Sequence, residues 1–293
     1  MYLLSPDEAP NAGLRRIILE KIEESIDLLN RPVMDAGTVI HEVRKNVKRV
    51  RAAQRLARYG IGETEYNLEN LRLRDLARTL ASARDANVLK STLARVLLAA
   101  DRTAEDIEGI TAVLFSRDPN DPANGTAPDG GLFEPLIAGF RTAEGQVRKF
   151  VADPDAGDFV YRGLVQTARC ARAEYREIYS PQASAENFHE WRKQVKYLWH
   201  QFEILASVGR NDNKVLKEDL EHLSEQLGLA HDSANLHAWL QTSPARSQIE
   251  DGAALIRRVN RDRRDHEGAA RIHGEVLFER EPEELLAWYG GAD

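Results

Sequence analysis

Two stretches of the chain bring histidine, arginine and lysine together at helical spacing. Residues 41–48 read His-Glu-Val-Arg-Lys-Asn-Val-Lys, and residues 189–196 read His-Glu-Trp-Arg-Lys-Gln-Val-Lys. Six of the eight positions are identical, at an offset of 148 residues. On a helix advancing about 100° per residue, Val39, Val43, Val47, Val50, Ala53 and Ala57 fall on one side. His41, Arg44, Lys45, Lys48, Arg49, Arg51, Arg55 and Arg58 fall on the other. Residues 41–58 hold seven Lys/Arg and one acid, Glu42, a local excess of +6. From His41 to Arg55 the strip is roughly 21 Å long. In the second copy Trp191, Val195, Leu198, Phe202 and Leu205 form the apolar side, and His189, Arg192, Lys193, Lys196 and His200 the polar one. Trp199 and Glu203 stand where the first copy has Arg51 and Arg55, so the first strip carries more charge.

A solvated helix face usually mixes signs, because opposite charges four residues apart stabilise it and like charges repel. A nearly single-sign strip, kept twice, asks for a negative partner. Guanidinium forks bind phosphate oxygens two at a time and lysines add point charges, so a mixed strip suits repeated phosphates. Nucleic acid would also require base stacking or groove readout. No aromatic residue interrupts the first strip before Tyr59, which favours a phosphate chain without bases.

The elements that must hold these strips are helices. Apolar residues recur at three- and four-residue spacing, predicting helices over 14–29, 36–59, 64–82, 85–115, 132–151, 157–179, 186–209, 212–242 and 246–274. From Glu275 the pattern is unclear. Pro32 and Pro181 precede the two motif copies, and Gly60 and Gly62 end the first basic helix. Residues 116–131, with three prolines and three glycines, form a loop. A second echo supports a repeat: Leu76, Leu80, Arg84-Asp85 and Asn87 match Leu223, Leu227, His231-Asp232 and Asn235 in nearly the same register. The expectation is an internal duplication, with a first helical half at 1–131 and a second at 132–293.

Composition sets the bounds. The 293 residues carry 40 Lys/Arg against 47 Asp/Glu, a net charge of −7, which disfavours a general nucleic-acid binder. No apolar run is long enough to span a membrane. The start, Met1 to Glu8, lacks the basic flank and apolar stretch of a signal peptide. The single cysteine, Cys170, excludes a disulfide framework or a cysteine zinc site and reads as a small buried residue. A cytoplasmic protein is expected.

These residues resemble the CHAD family, the conserved-histidine α-helical domain. The signature His-x-x-Arg-Lys-x-x-Lys occurs from His41 and again from His189, and Arg84-Asp85-Ala86-Asn87-Val88 is similar to the segment that follows it. The resemblance spans about residues 10–275. It implies an all-α fold of two pseudo-twofold-related four-helix bundles whose basic faces meet at a cleft. It also implies non-catalytic binding of inorganic polyphosphate, localisation to polyphosphate granules, and polyphosphate-metabolising enzymes as partners. By position, His41, Arg44, Lys45, Lys48, His189, Arg192, Lys193 and Lys196 would line the site, with Arg51, Arg55 and Arg84 added from the first half. His231 departs from the arginine expected before Asp232. No cofactor, metal or membrane enters this reading. The triphosphate-tunnel domain that often accompanies the family has a Glu-x-Glu-x-Lys motif, absent here.

Two rivals stand beside it. His231-Asp232 is similar to the ligand pair of HD metal phosphohydrolases, with His200 or His222 upstream and Asp251 or Asp262 downstream. The cluster Arg257-Arg258 and Arg261-Asp262-Arg263-Arg264 would suit an RNA- or ribosome-associated adaptor, or an extension of the cleft. His222, His237, His266 and His273 show no ligand spacing. His41 has two roles open to it, protonated phosphate donor or neutral positioner of arginines.

Overall fold

A computed structural model describes residues 2–31, 36–80, 85–115, 133–150, 158–208, 214–249 and 251–289. Pro32, Arg84 and the 116–131 segment lie outside the described residues. The helices are α1 (Pro10–Leu29), α2 (Ala36–Ile61), α3 (Glu63–Thr79), α4 (Asp85–Leu98), α5 (Ala104–Leu114) and α6 (Phe133–Arg148). They continue with α7 (Phe159–Glu177), α8 (Ala185–Leu205), α9 (Lys214–Thr242), α10 (Gly252–Phe278) and α11 (Pro282–Leu285). Two 3-10 turns, Pro244–Gln248 and Ala287–Tyr289, complete the described elements, among which there is no strand. The fold is all-α, as the periodicity predicts.

Helices α1, α2, α3 and α6 pack in one ring and α7, α8, α9 and α10 in another, joined where α2 lies against α7 and α8. A division of the chain at residue 131 therefore separates α6 from α1 and α3, the helices it packs against. The apolar sides read from the sequence are the ones buried. On α2 these are Val39, Val43, Val47, Val50, Ala53 and Ala57, and on α8 Trp191, Val195, Leu198, Phe202 and Leu205. Each large side chain so buried contributes roughly 1.5–3 kcal/mol. With the polar sides unable to enter this core, the rotation of both helices is set, and the cationic strips must face away from it.

The helix junction is tight. An added Cβ at Gly163 of α7 would lie 2.5 Å from the Leu56 carbonyl oxygen of α2, so only glycine permits this backbone approach. Beside it the fully buried Gln201 of α8 donates to the Ala52 carbonyl of α2 (3.3 Å) and to Thr167 Oγ1 of α7 (3.0 Å). One buried amide thus ties three helices. Gly62, with φ of 90°, makes the sharp joint between α2 and α3.

Two expectations change. The single helix predicted over 85–115 is two: Asp101 adopts a left-handed φ of 54°, and Thr103 starts α5 with a capping box to Asp106. Helical periodicity continues across the break, but the backbone does not. In the second half the matching stretch through Leu223, Leu227 and Asn235 is one 29-residue helix, α9. The stretch from Glu275 completes α10 and continues into α11, with Leu277, Phe278, Leu285 and Leu286 buried. Arg172 anchors it, donating to the Phe278 carbonyl (3.0 Å) and Glu281 (2.5 Å). Helix α4 packs on α9 and α10, and α5 on α4 and the Pro244–Gln248 turn, around a second apolar cluster that includes Leu93, Val96, Leu236 and Val259.

Candidate functional site

Both cationic strips open onto one cleft of about 530 Å³. From α2 it receives Arg44, Val47, Lys48 and Arg51, and from α8 His189, Arg192, Lys193, Lys196 and Tyr197. Helix α9 supplies His231, Asp232, Asn235, Ala238 and Trp239, while Ala77 of α3 and Val88 and Leu89 of α4 complete the wall. Among the described residues six lysines and arginines thus face the cleft with one carboxylate, Asp232, in a chain whose net charge is negative.

The predicted residues divide. Arg44, Lys48, Arg51, His189, Arg192, Lys193 and Lys196 line the cleft; His41, Lys45 and Arg55 do not, and Arg84 lies outside the described residues. The His41 side chain is 50% exposed beside Glu42, and Lys45 pairs with the same acid at 3.5 Å. Lys193 pairs with Glu190 in the same way, so each motif's glutamate binds its own lysine three residues on. Arg55 lies with its guanidinium 3.6 Å from the Tyr197 ring centre, donating to the Arg51 carbonyl and to Asn70. It therefore buttresses Arg51, which bonds Asn70 at 3.2 Å and approaches the same ring. Arg44 donates to the Leu80 carbonyl at the end of α3 (2.9 Å).

Several of these cations are held at an electrostatic cost. Burial pulls the Arg51 pKa below its usual value, with Arg55 and Arg74 adding to the effect. Burial, then the nearby Arg192, lowers Lys196 to about 8. Desolvation disfavours the charged form, and a neighbouring like charge does so again. Groups so perturbed and gathered in a cleft are candidates for a functional site.

The position-by-position comparison missed His231, Asn235 and Trp239 as cleft residues. His231 Nδ1 lies 3.2 Å from His189 Nδ1, with the rings stacked at 4.4 Å. Asn235 Nδ2 contacts His231 Nε2 at 3.2 Å. Their signal was the second echo itself: residues four apart on α9 share a face, in register with the Arg84 segment. Trp239 stacks on Phe115 of the α5 end, 4.7 Å away and nearly parallel.

Other expectations are corrected. His200, placed on the polar side of α8, is 3% exposed and bonds Glu203 at 2.7 Å, because the partner carboxylate satisfies its ring. Cys170 is only partly buried, taking a contact from Gln166. No arginine of the 257–264 cluster lines the cleft: Arg263 pairs with Glu267, and Arg258 donates to the Ala99 carbonyl. His222 stacks with His273, and Asp262 is taken by Arg95. Among the described residues no three His, Cys, Asp or Glu side chains are grouped to hold a metal, and no helix is long and apolar enough to cross a membrane.

This is a helical protein with a basic cleft at the junction of two four-helix rings. Its sequence matches the model of the CHAD domain over residues 28–241, and the chain belongs to that family. The structure is similar to the crystal structure of the CHAD domain from the plant Ricinus communis, with a TM-score of 0.52 and 15% sequence identity. That likeness covers 99% of this chain and 95% of the plant one, and is a likeness of fold. Among curated proteins, no sequence matches.

Proposed function

We propose that the protein binds inorganic polyphosphate without chemistry, in the basic cleft between α2 and α8. One observation carries this reading: the helices that bear the two copies of the motif send Arg44, Lys48 and Arg51 from one side and Arg192, Lys193 and Lys196 from the other into the same cleft. Guanidinium and ammonium groups disposed along two walls match a ligand with charge at every repeat, not a single phosphate. The chain is too acidic overall to attract polyanions indiscriminately, so selectivity rests on this local field.

The aromatic residues at the cleft favour a ligand without bases. Tyr197 is covered by Arg55, and one face of Trp239 is occupied by Phe115, which leaves little of the stacking platform single-stranded RNA uses. Of the flanking ligands that the phosphohydrolase alternative names, His200 bonds Glu203 and Asp262 pairs with Arg95, which favours the binding reading. Binding of this kind suits a cytoplasmic protein that gathers on polyphosphate granules or delivers enzymes of polyphosphate metabolism to them.

Titration with polyphosphates of defined length, against RNA and triphosphate, tests the proposal. Long chains should bind tightest and displace RNA at modest excess. Affinity should fall steeply with salt, since counterions released on binding are restored at high salt; the rule is stated for DNA and carries over to another linear polyanion. Preference for RNA at matched charge, or salt-independent affinity, refutes the reading.

A further inference from the structure

We infer that the cleft takes up its polyanion together with a proton, held by the stacked pair His189 and His231. The inference rests on the polyphosphate reading and deepens it. Its ground is the hydrogen-bond order in the pair. An amide NH2 can only donate, so the contact from Asn235 Nδ2 makes His231 Nε2 an acceptor. Neutral His231 then carries its proton on Nδ1, facing His189 Nδ1 at 3.2 Å. His189 Nδ1 must accept, which leaves its own proton on Nε2. Two imidazoles thus hold two protons on four nitrogens, and the pair is uncharged.

The surroundings keep it so while the cleft is empty. From α8, Lys193 and Arg192 face His189, opposed by Glu186 and Glu190; burial is the larger influence, and the net direction is down. His231 meets Arg192 and His189 from α8 and Lys48 from α2, and with burial these push it down to about 3. Asp232 is the α9 carboxylate at the cleft, and among the described residues α3 and α4 add Ala77, Val88 and Leu89. A polyanion entering among Lys48, Arg192 and Lys193 reverses this balance, because negative charge within a few ångströms favours the imidazolium. A proton from the buffer then enters at His231 Nε2, and the Asn235 amide turns to accept it through Oδ1. The pair now holds three protons and one positive charge, and becomes a ligand for the anion. His231 stands where the repeat has Arg84 in the first half, so this chain supplies the second-half charge only on demand.

Calorimetric titration of the full chain with long-chain polyphosphate, in buffers of differing ionisation enthalpy, reads the proton directly. Internal phosphoryl groups of a long chain are strong acids and stay charged, and Lys196, lowered to about 8, is already protonated at pH 6.0–7.0. In that range the wild type should take up between about half and one proton per cleft, and affinity should fall up to about tenfold per pH unit. The double variant His189→Gln, His231→Asn should bind with no uptake. Binding without uptake by the wild type, or uptake retained in the double variant, overturns the inference alone. No binding at any pH takes the polyphosphate reading down with it. Should the variant fail to fold, imidazole 15N spectra of the wild type decide, since the pair must change from neutral to imidazolium signals when polyphosphate is added at pH 6.5.

Discussion

Arg95 of α4 grips Asp262 of α10 with both arms, each guanidinium nitrogen 2.8 Å from a different carboxylate oxygen. The residues are 167 apart in sequence. Ser233 of α9 adds hydrogen bonds to both, at 2.8 Å to Arg95 and 2.6 Å to Asp262. The Asp262 carboxyl is held below the usual range by Arg95 and Ser233, which outweigh burial. This fork fixes α4, and with it the Val88–Leu89 wall of the cleft, to the second ring.

Arg95→Ala leaves Asp262 partly buried without its countercharge. Removing one partner of such a pair costs about 3–5 kcal/mol when burial is deep; partial exposure here lowers the expectation to about 2–3 kcal/mol. Urea unfolding should show this loss. Arg95→Met with Asp262→Leu should recover most of it, and an additive double variant would show that the fork matters little.

Charge reversal tests the cleft. Lys48→Glu with Lys193→Glu places one acid on each wall and leaves the Arg44 contact with the α3 end intact. Polyphosphate affinity at low salt should drop at least ~100-fold, in line with the strength of charge-assisted contacts. Helix content by circular dichroism should not change.

Lys196 sets binding against stability. Its folded pKa of about 8 lies below the ordinary 10.5, so between these values the unfolded chain holds more proton and stability rises with pH. Below pH 8 the destabilisation is at its full extent. Lys196→Met should therefore raise stability at pH 7 by about 1–3 kcal/mol, the advantage shrinking as pH rises to about 10.5. The same variant should bind polyphosphate more weakly. A variant that is no more stable than the wild type at pH 7 counts against this account.

Gly163→Ala forces a methyl group against the α2 backbone, where neither the Leu56 nor the Arg55 carbonyl can yield without moving a helix. Overpacking of this kind costs about 1–3 kcal/mol. The thermal midpoint should fall accordingly, whereas Gly145→Ala, with open space at the same test, should be neutral or slightly stabilising.

The helices and their buried sides were legible in the order of residues, because amphipathic periodicity is local: Val39 to Ala57 and Trp191 to Leu205 repeat every three or four positions whatever lies opposite. So was the paired motif that marks the family. What the order of residues did not contain was which strip members meet. His41, Lys45 and Arg55 share the polar arc of α2 with Lys48 but stay out of the cleft: Lys45 pairs with Glu42 beside His41, and Arg55 is drawn onto the Tyr197 ring. The break at Asp101 was hidden because apolar spacing persisted through it.

Tertiary structure alone decided the contacts between distant segments. It set His231 against His189, gave Asp262 to Arg95 and brought α6 back to α1, since each depends on helix crossings that sum weak contacts over the whole core. Sequence determined what each helix face could offer; packing determined which faces look at one another, and through that distance and desolvation it set the charge states at the site.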